Sequence, residues 1–162
     1  MKTTDVAVRL AKLSDAEDIA TMSRHYIEQG LPWTWTAARI AAAINDPDTN
    51  VAVVGERGAI CAFGIMSYPN DDAHLLLFAV RQSSRRRGVG SAILHWLEEA
   101  ARTVGAKRIR VECRRDNDAA RNFYCEHGYA ELEITVKFYR GLKDGIHLVK
   151  WFVPPSDESS RG

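Results

Sequence analysis

The sequence predicts an α/β domain built on one mixed, mostly antiparallel sheet with helices on both faces. Two observations carry this prediction. The 162 residues are 46% hydrophobic, which is enough for one compact domain with its own core. Hydrophobic periodicity then divides the chain into segments in the order βααβββαβαββ, and an order of this kind layers helices against a sheet.

The first half of the chain accounts for two helices and four strands. A strand at residues 6–10 precedes a helix that begins at a capping-box pattern, Ser14 to Glu17. A second, shorter helix is predicted from Thr36 to Ile44, ended by Asp46 and Pro47. Three strands separated by turn-rich breaks follow, at residues 51–54, 60–68 and 74–80.

The second half begins with a long helix at residues 88–104. Its apolar stripe recurs at helical spacing and comprises Ile93, Leu97, Ala100, Ala101 and Val104. A strand, a helix and two final strands are predicted after it, at residues 108–113, 116–127, 129–139 and 146–153. The sequence therefore predicts one domain over residues 1–153, with the polar residues 154–162 as a disordered tail.

Composition excludes several classes of protein. No run of eighteen apolar residues is present and the N-terminus lacks the apolar centre of a secretory signal, so a cytoplasmic protein without a membrane segment is expected. Cys61, Cys113 and Cys125 are scattered, with no CxxC pair and no histidine at metal-ligand spacing. Free thiols and no metal site are the expectation.

Charge is distributed unevenly although the net charge is only +1. Residues 81–121 carry eleven Lys and Arg against five Asp and Glu. A local basic field in a neutral protein indicates a discrete polyanionic ligand more than general affinity for nucleic acid. The alternative is that these side chains belong to solvated helix faces.

The segment that points to chemistry is a strand, then Arg85-Arg86-Arg87-Gly88-Val89-Gly90, then the long helix. A helix N-terminus presents unpaired backbone N–H groups together with partial positive charge, which suits phosphate. Gly88 and Gly90 remove side chains that would keep a pyrophosphate from the backbone, and arginines add fork-shaped donors. No Gly-Lys-Ser/Thr run follows, and Ile93 stands where a dinucleotide-binding fingerprint needs its third glycine.

Arg85-x-x-Gly88-x-Gly90 matches the acetyl-CoA signature Q/R-x-x-G-x-G/A, so the chain resembles the GCN5-related N-acetyltransferase (GNAT) family. A second stretch, VECRRDNDAARNFYCEHGY, resembles the strand and helix that follow in that family, with Asn117 and Tyr124 in register. The element order also matches, so the resemblance covers nearly the whole chain. Gln82 stands where the family often has proline.

Within the family the likeness is closest to the ribosomal-protein alanine N-acetyltransferases. Leu31-Pro32-Trp33 resembles their loop after the first helix, and Glu112 matches their catalytic glutamate. Phe138-Tyr139 resembles their tyrosine pair before the last strand. Trp35 and the strand at residues 131–137 follow no substrate pattern of that group, which leaves the peptide specificity open.

The resemblance implies a set of coenzyme contacts. The end of the cofactor-bearing strand would pair its backbone with the pantetheine arm, the glycine turn would hold the pyrophosphate, and Asn117 would contact the coenzyme further along. The implied cofactor-binding residues are Phe78, Ala79, Val80, Arg85, Arg86, Arg87, Gly88, Val89, Gly90, Ser91 and Asn117.

Two catalytic residues are implied. Glu112 would take the proton of the amine, through water, and the alternative is an ordinary ion pair with Arg110 or Arg114. Tyr124 would protonate the departing thiolate, and the alternative is an aromatic side chain that packs beside Phe123. His74 is the reserve candidate for the base.

The resemblance and the aromatic loop indicate that the acceptor binds at Leu31, Trp33, Trp35 and Tyr139. The alternative is that these side chains cap the core. The predicted function is direct transfer of acetyl from acetyl-CoA, without a metal, to a primary amine of a peptide N-terminus or a small molecule. A non-catalytic acyl-CoA-binding or protein-interaction module of the same fold is the alternative. Near-zero net charge argues against nucleic acid, and a homodimer stays open because family members often pair.

Overall fold

The computed structural model describes residues 6–28, 33–56, 58–85, 87–139 and 143–153, with the backbone alone for residues 133–139 and 143–144. In this part of the chain the elements follow the predicted order. The strands are β1 (Arg9–Leu10), β2 (Thr49–Glu56), β3 (Ala59–Ser67), β4 (Asp72–Val80), β5 (Arg108–Arg114), β6 (Ala130–Tyr139) and β7 (Lys143–Trp151). The helices are α1 (Ala16–Tyr26), α2 (Ala37–Asn45), α3 (Val89–Thr103) and α4 (Asp118–Glu126).

The strands form a seven-stranded sheet in the order β1-β2-β3-β4-β5-β7-β6. The pairs β1–β2, β2–β3, β5–β7 and β6–β7 are antiparallel. The predicted fold class, an α/β domain on a mixed sheet, is confirmed. Two compact units are distinguished within the chain, the first comprising Met1–Ser67 with Leu75–Ala100 and the second Tyr68–His74 with Ala101–Gly162.

The first unit is built around apolar side chains from α1, α2 and the strands β2 and β3. Ile19 of α1, Ile40 of α2 and Phe63 of β3 are all fully buried. Helix α3 approaches β3 closely, because a Cβ added to Gly64 would lie 2.7 Å from Cδ1 of Leu97. Glycine at this position therefore permits the helix to pack directly against the strand.

The second unit shows the alternation expected of a strand with one buried face. Ile109, Val111 and Cys113 of β5 are buried, whereas Arg110 and Glu112 are partly exposed on the opposite face. The register of the antiparallel pair β5–β7 sets Glu112 opposite His147. Because cross-strand partners point to the same face, the register brings these two side chains together.

Two predictions about the first two elements of the chain are wrong. Strand β1 contains only Arg9 and Leu10, which pair with Val53 and Ala52. The predicted capping box at Ser14 is absent, because Ser14 lies in a 3₁₀ turn and α1 begins at Ala16. The carboxylate of Asp15 closes that turn by accepting from Lys12 N at 2.7 Å and from Nη1 of Arg9 at 2.8 Å.

Candidate active site

The turn after β4 is anchored to the neighbouring strand before it enters α3. Arg81 N donates to the carbonyl oxygen of Cys61 at 2.7 Å, and Arg81 Nη2 donates to that of Ile60 at 2.8 Å. A 3₁₀ turn at Gln82–Ser84 follows, and Gln82 N donates to Oη of Tyr26 at 3.2 Å. The predicted strand–turn–helix arrangement is therefore present, and its backbone is fixed at several points.

Main-chain amides converge where α3 begins. Gly88 has a φ of +79°, a left-handed conformation that side chains other than glycine adopt at a cost. Ala92 N donates to the Gly88 carbonyl at 3.0 Å, so the amides of Val89, Gly90 and Ser91 precede the first bond within the helix. The partial positive charge of the helix N-terminus adds to these donors, and the arrangement suits a phosphate group.

The arginines of the turn are engaged with protein groups. Arg87 Nη2 lies 2.5 and 2.6 Å from the two carboxylate oxygens of Glu56, yet its Nε is buried and has no hydrogen-bond partner among the described residues. Arg85 Nε donates to the Val80 carbonyl at 3.1 Å, and its guanidinium lies 5.5 Å from the centre of the Tyr26 ring. Arg86 lies outside the described residues.

The end of β4 alternates in exposure. Ala79 is buried, whereas Phe78 and Val80 are partly exposed. The ring of Phe78 comes within 3.3 Å of the position that a Cβ of Gly64 would take, so its ring lies against β3. The backbone of these three residues is the part that the sequence predicts to meet the pantetheine arm, and that contact stays a prediction.

Glu112 has a histidine as its neighbour. Its Oε1 lies 3.4 Å from Nδ1 of His147, and both side chains are about one quarter exposed, at 28% and 26% respectively. The arginines weighed as its partners make other contacts. Arg110 donates to His74, and Arg114 Nε lies 3.5 Å from Asp116 Oδ1. Sequence reasoning missed His147, because the contact depends on the register of two distant strands.

His74 is partly buried, and the lone pair of its Nε2 atom accepts from a neighbouring arginine. Arg110 donates to His74 Nε2 from Nε at 3.2 Å and from Nη2 at 2.8 Å. Burial, followed by the charge of Arg110, lowers the pKa of His74 below 6.5, so the ring is favoured in its neutral form. Since a guanidinium can only donate, Nε2 is the acceptor, which leaves this atom poorly suited to take a proton from an amine.

Helix α4 holds Tyr124 and is capped by Asn117. Tyr124 is 4% exposed, and its ring centre lies 5.5 Å from that of Phe123 and 5.6 Å from that of Tyr129. Asn117 Oδ1 accepts from Ala120 N at 3.1 Å, which satisfies one orphan amide of the helix. This bond uses the oxygen of the carboxamide, so Nδ2 is the atom with which Asn117 could donate to a ligand.

Two of the three cysteines are poor nucleophiles. Burial raises the pKa of the Cys113 thiol to about 12 and also raises that of Cys61. The thiolate is the reactive form, so these two residues are inert near neutral pH. Cys125 is exposed.

The predicted acceptor residues fall on a loop that a buried carboxylate holds in place. Glu28, 4% exposed, accepts from Thr34 N, Thr34 Oγ1 and Trp35 N at 2.9–3.2 Å. Trp35 packs against the core of the first unit, as the alternative interpretation has it, with the Arg39 guanidinium 3.8 Å from its ring centre. Trp33 is exposed and lies 4.8 Å from the guanidinium of Arg24. Leu31 and the side chain of Tyr139 lie outside the described residues.

The described residues include no group of three or more His, Cys, Asp or Glu arranged to hold a metal ion. No helix in the same ranges has the length and apolar character needed to cross a membrane.

Each comparison with known proteins finds acetyltransferases. The model of the acetyltransferase (GNAT) family matches residues 16–129. An uncharacterised N-acetyltransferase of Methanocaldococcus jannaschii is 31% identical over 101 residues, which are 62% of this chain and only 64% of that protein's length. An N-alpha-acetyltransferase of Sulfurisphaera tokodaii is 24% identical over 146 residues, 85% of this chain and 87% of that protein.

Two solved structures share the fold. The Escherichia coli ribosomal-protein-S18-alanine N-acetyltransferase superimposes with a TM-score of 0.77 at 21% identity, over 94% of this chain and 97% of that one. The PaiA N-acetyltransferase of Thermoplasma acidophilum, solved in complex with coenzyme A, gives a TM-score of 0.76 at 15% identity, over 91% and 99%.

Proposed function

This chain belongs to the acetyltransferase (GNAT) family, and we propose that it transfers an acetyl group from acetyl-CoA to a primary amine. Membership assigns the chain to the acyltransferases, and the resemblance to that family is confirmed. The observation that carries the proposal is the turn after β4, where the amides that open α3 would donate to a pyrophosphate, together with the buried Nε of Arg87, which has no hydrogen-bond partner among the described residues.

The coenzyme fits the donor chemistry of this turn. The phosphate oxygens would accept from the main-chain amides of Val89, Gly90 and Ser91. Nε of Arg87 would donate a further, charge-assisted hydrogen bond to the negatively charged phosphate. Bound acetyl-CoA would supply the acetyl group as an activated thioester. The solved PaiA acetyltransferase was obtained with coenzyme A, which supports the same choice of ligand here.

Glu112 is the better candidate for the base. Its carboxylate is partly exposed and lies on the strand face opposite the buried residues, whereas the Nε2 lone pair of His74 accepts from Arg110. In the proposed reaction Glu112, directly or through water, takes the proton of the attacking amine, and Tyr124 gives its phenolic proton to the departing thiolate. Asn117 would donate Nδ2 to the coenzyme.

Direct transfer is favoured over a covalent acetyl-enzyme. Burial holds the Cys113 thiol in its protonated form, so it is not the strong nucleophile that a two-step mechanism requires. The amine therefore attacks the thioester carbonyl without an intermediate carrier, and the exposed Trp33 is the described side chain proposed to contact the acceptor.

The acceptor we propose to test first is the α-amino group of a peptide. The Sulfurisphaera relative is named an N-alpha-acetyltransferase, and a ribosomal-protein alanine N-acetyltransferase is among the proteins that share the fold. Small amines remain the second acceptor class. A homodimer and a cytoplasmic location stay predictions.

Two measurements on the full chain test the proposal. Calorimetric titration with acetyl-CoA measures binding, and coenzyme A release is followed against peptides of varied N-terminal residue and against small amines. Binding with turnover on at least one amine is expected. Tight binding without turnover on any acceptor would favour the non-catalytic module, and no binding would overturn the proposal altogether.

A further inference from the structure

Glu112 and His147 form a pair on neighbouring strands. The two residues are directly opposite in the antiparallel register of β5 and β7, and Oε1 and Nδ1 are 3.4 Å apart. Both side chains are about one quarter exposed, so protons can exchange with solvent while the pair stays in place. His147 belongs to none of the residues implicated above by motif.

A carboxylate alone is a weak base for this reaction. An ordinary glutamate titrates near pH 4, and a peptide α-amino group near pH 8, so direct transfer of the proton to a carboxylate is uphill by about four units. An imidazole titrates near 6.5, and general-base catalysis is most efficient when the base titrates close to the working pH. A histidine in contact with the carboxylate therefore provides a second proton acceptor beside it.

Several charged groups surround the pair. From β4, Asp72 is bound by Arg108, and His74 accepts from Arg110 and also senses the charge of Glu112. On β5 itself, Arg110 and Arg114 flank Glu112 on the same face. On β6, Glu133 stands in register with His147.

We propose that His147 receives the proton that Glu112 removes from the acceptor amine. The amine nitrogen forms its bond to the acetyl carbonyl carbon, the carbon–sulfur bond breaks, and the thiolate leaves with the electron pair. The amine proton passes to Glu112 Oε1 and then to Nδ1 of a neutral His147, which releases it to solvent before the next turnover. His147 acts through Glu112 and is a positioning residue; the inference rests on the proposed function.

Coupling between the two residues can be measured without coenzyme. In urea unfolding of the full chain, the losses of stability in Glu112→Gln and His147→Gln should not add in the double variant, because either single variant already breaks the contact. Strict additivity of the two losses would overturn the pairing. This measurement does not depend on knowing the acceptor.

Kinetics then test the proton path. With a fixed peptide acceptor, the wild-type kcat is expected to fall with falling pH, because a protonated imidazole cannot receive a further proton. His147→Gln keeps a hydrogen-bonding side chain but cannot take the proton, so its kcat at pH 7.5 should be lower by about tenfold or more. The part of the fall in kcat with falling pH that is due to the imidazole should also disappear, while titration of the acceptor amine affects every variant equally.

His95→Gln on the exposed face of α3 is the matched control, and its pH profile should follow the wild type. A His147→Gln profile that superimposes on the wild type overturns the inference and leaves the proposed function standing. Absence of turnover in the wild-type protein on every amine means that the proposed function has failed, and the unfolding of the double variant then decides separately whether the pair is coupled.

Discussion

Glu56 and Arg87 are joined by an ion pair in which one guanidinium nitrogen, Nη2, contacts both carboxylate oxygens at 2.5 and 2.6 Å. The pair connects the end of β2 to the residue before Gly88. Both side chains are more than one third exposed, so the pair itself is expected to stabilise the fold by no more than about 1 kcal/mol. Its larger consequence is positional, because it fixes a guanidinium whose Nε is buried and has no hydrogen-bond partner in the part of the chain that the structure describes.

Glu56→Gln should weaken acetyl-CoA binding while the chemistry proceeds as before. Loss of the charged partner lets the Arg87 side chain move, and we expect KM for acetyl-CoA to rise about three- to tenfold with kcat unchanged, an effect of roughly 1 kcal/mol. Steady-state kinetics at saturating acceptor measure it. Asp71→Asn, which removes an exposed ion pair with Lys107, is the control and should change neither constant. A lower KM in Glu56→Gln would mean that the carboxylate competes with phosphate instead.

Gly88→Ala should damage the same turn through the backbone. A φ of +79° costs an alanine roughly 1–2 kcal/mol, so either the fold loses that stability or the turn changes shape and its amides move. Gly105, with a φ of +88° and open space around its Cβ position, lies just beyond the other end of α3. Both alanine variants should unfold at lower urea concentration, but only Gly88→Ala should bind acetyl-CoA more weakly by calorimetry. Equal binding in the two variants would contradict the role of the turn.

Local patterns made most of the fold predictable, and contacts between distant segments were the part that could not be predicted. Helix α3 and the buried face of β5 follow directly from the spacing of apolar residues. Glu112 was identified by its motif, but its neighbour His147 depends on the register of β5 against β7, which periodicity alone does not determine. The pairing of Glu56 with Arg87 could not be predicted from local patterns either, because it joins residues 31 apart in sequence.

Tyr124→Phe tests the proposed acid. The variant removes one hydroxyl from a ring that is 4% exposed, and if that hydroxyl protonates the thiolate, kcat should fall about tenfold or more with acetyl-CoA binding nearly unchanged. Tyr129→Phe is a matched control, since Tyr129 is 3% exposed and its ring centre lies 5.6 Å from that of Tyr124. Rates of coenzyme A release that are equal in the two variants would remove Tyr124 from the mechanism.

His74 gives stability a defined dependence on pH. Burial lowers its pKa in the folded state below the unfolded value of 6.5, so below pH 6.5 the unfolded chain binds a proton that the folded protein does not. The free energy of unfolding should therefore fall as pH drops from 6.5 towards the folded pKa, and this contribution should be constant above 6.5. Urea unfolding measured from pH 5 to 8 should show that the free energy of unfolding changes less steeply with pH in His74→Gln than in the wild type. This variant retains an acceptor for Arg110. A slope equal to that of the wild type would contradict the assignment.

Gly64→Ala tests how closely α3 is packed on β3. The new Cβ would lie 2.7 Å from Leu97 Cδ1 and 3.2 Å from Ile93 Cγ2, both in fully buried side chains, so we expect a loss of about 1–3 kcal/mol in urea unfolding. At Gly55 of β2, the nearest atom to a new Cβ is 3.5 Å away, and alanine there should cost well under 1 kcal/mol by the same steric argument. Leu97→Ala alone leaves a cavity and should cost about 2–5 kcal/mol. If the clash with Leu97 is the cause, the double variant Gly64→Ala/Leu97→Ala will lose less than the sum of the two single losses, whereas strict additivity would show that the methyl group is accommodated elsewhere.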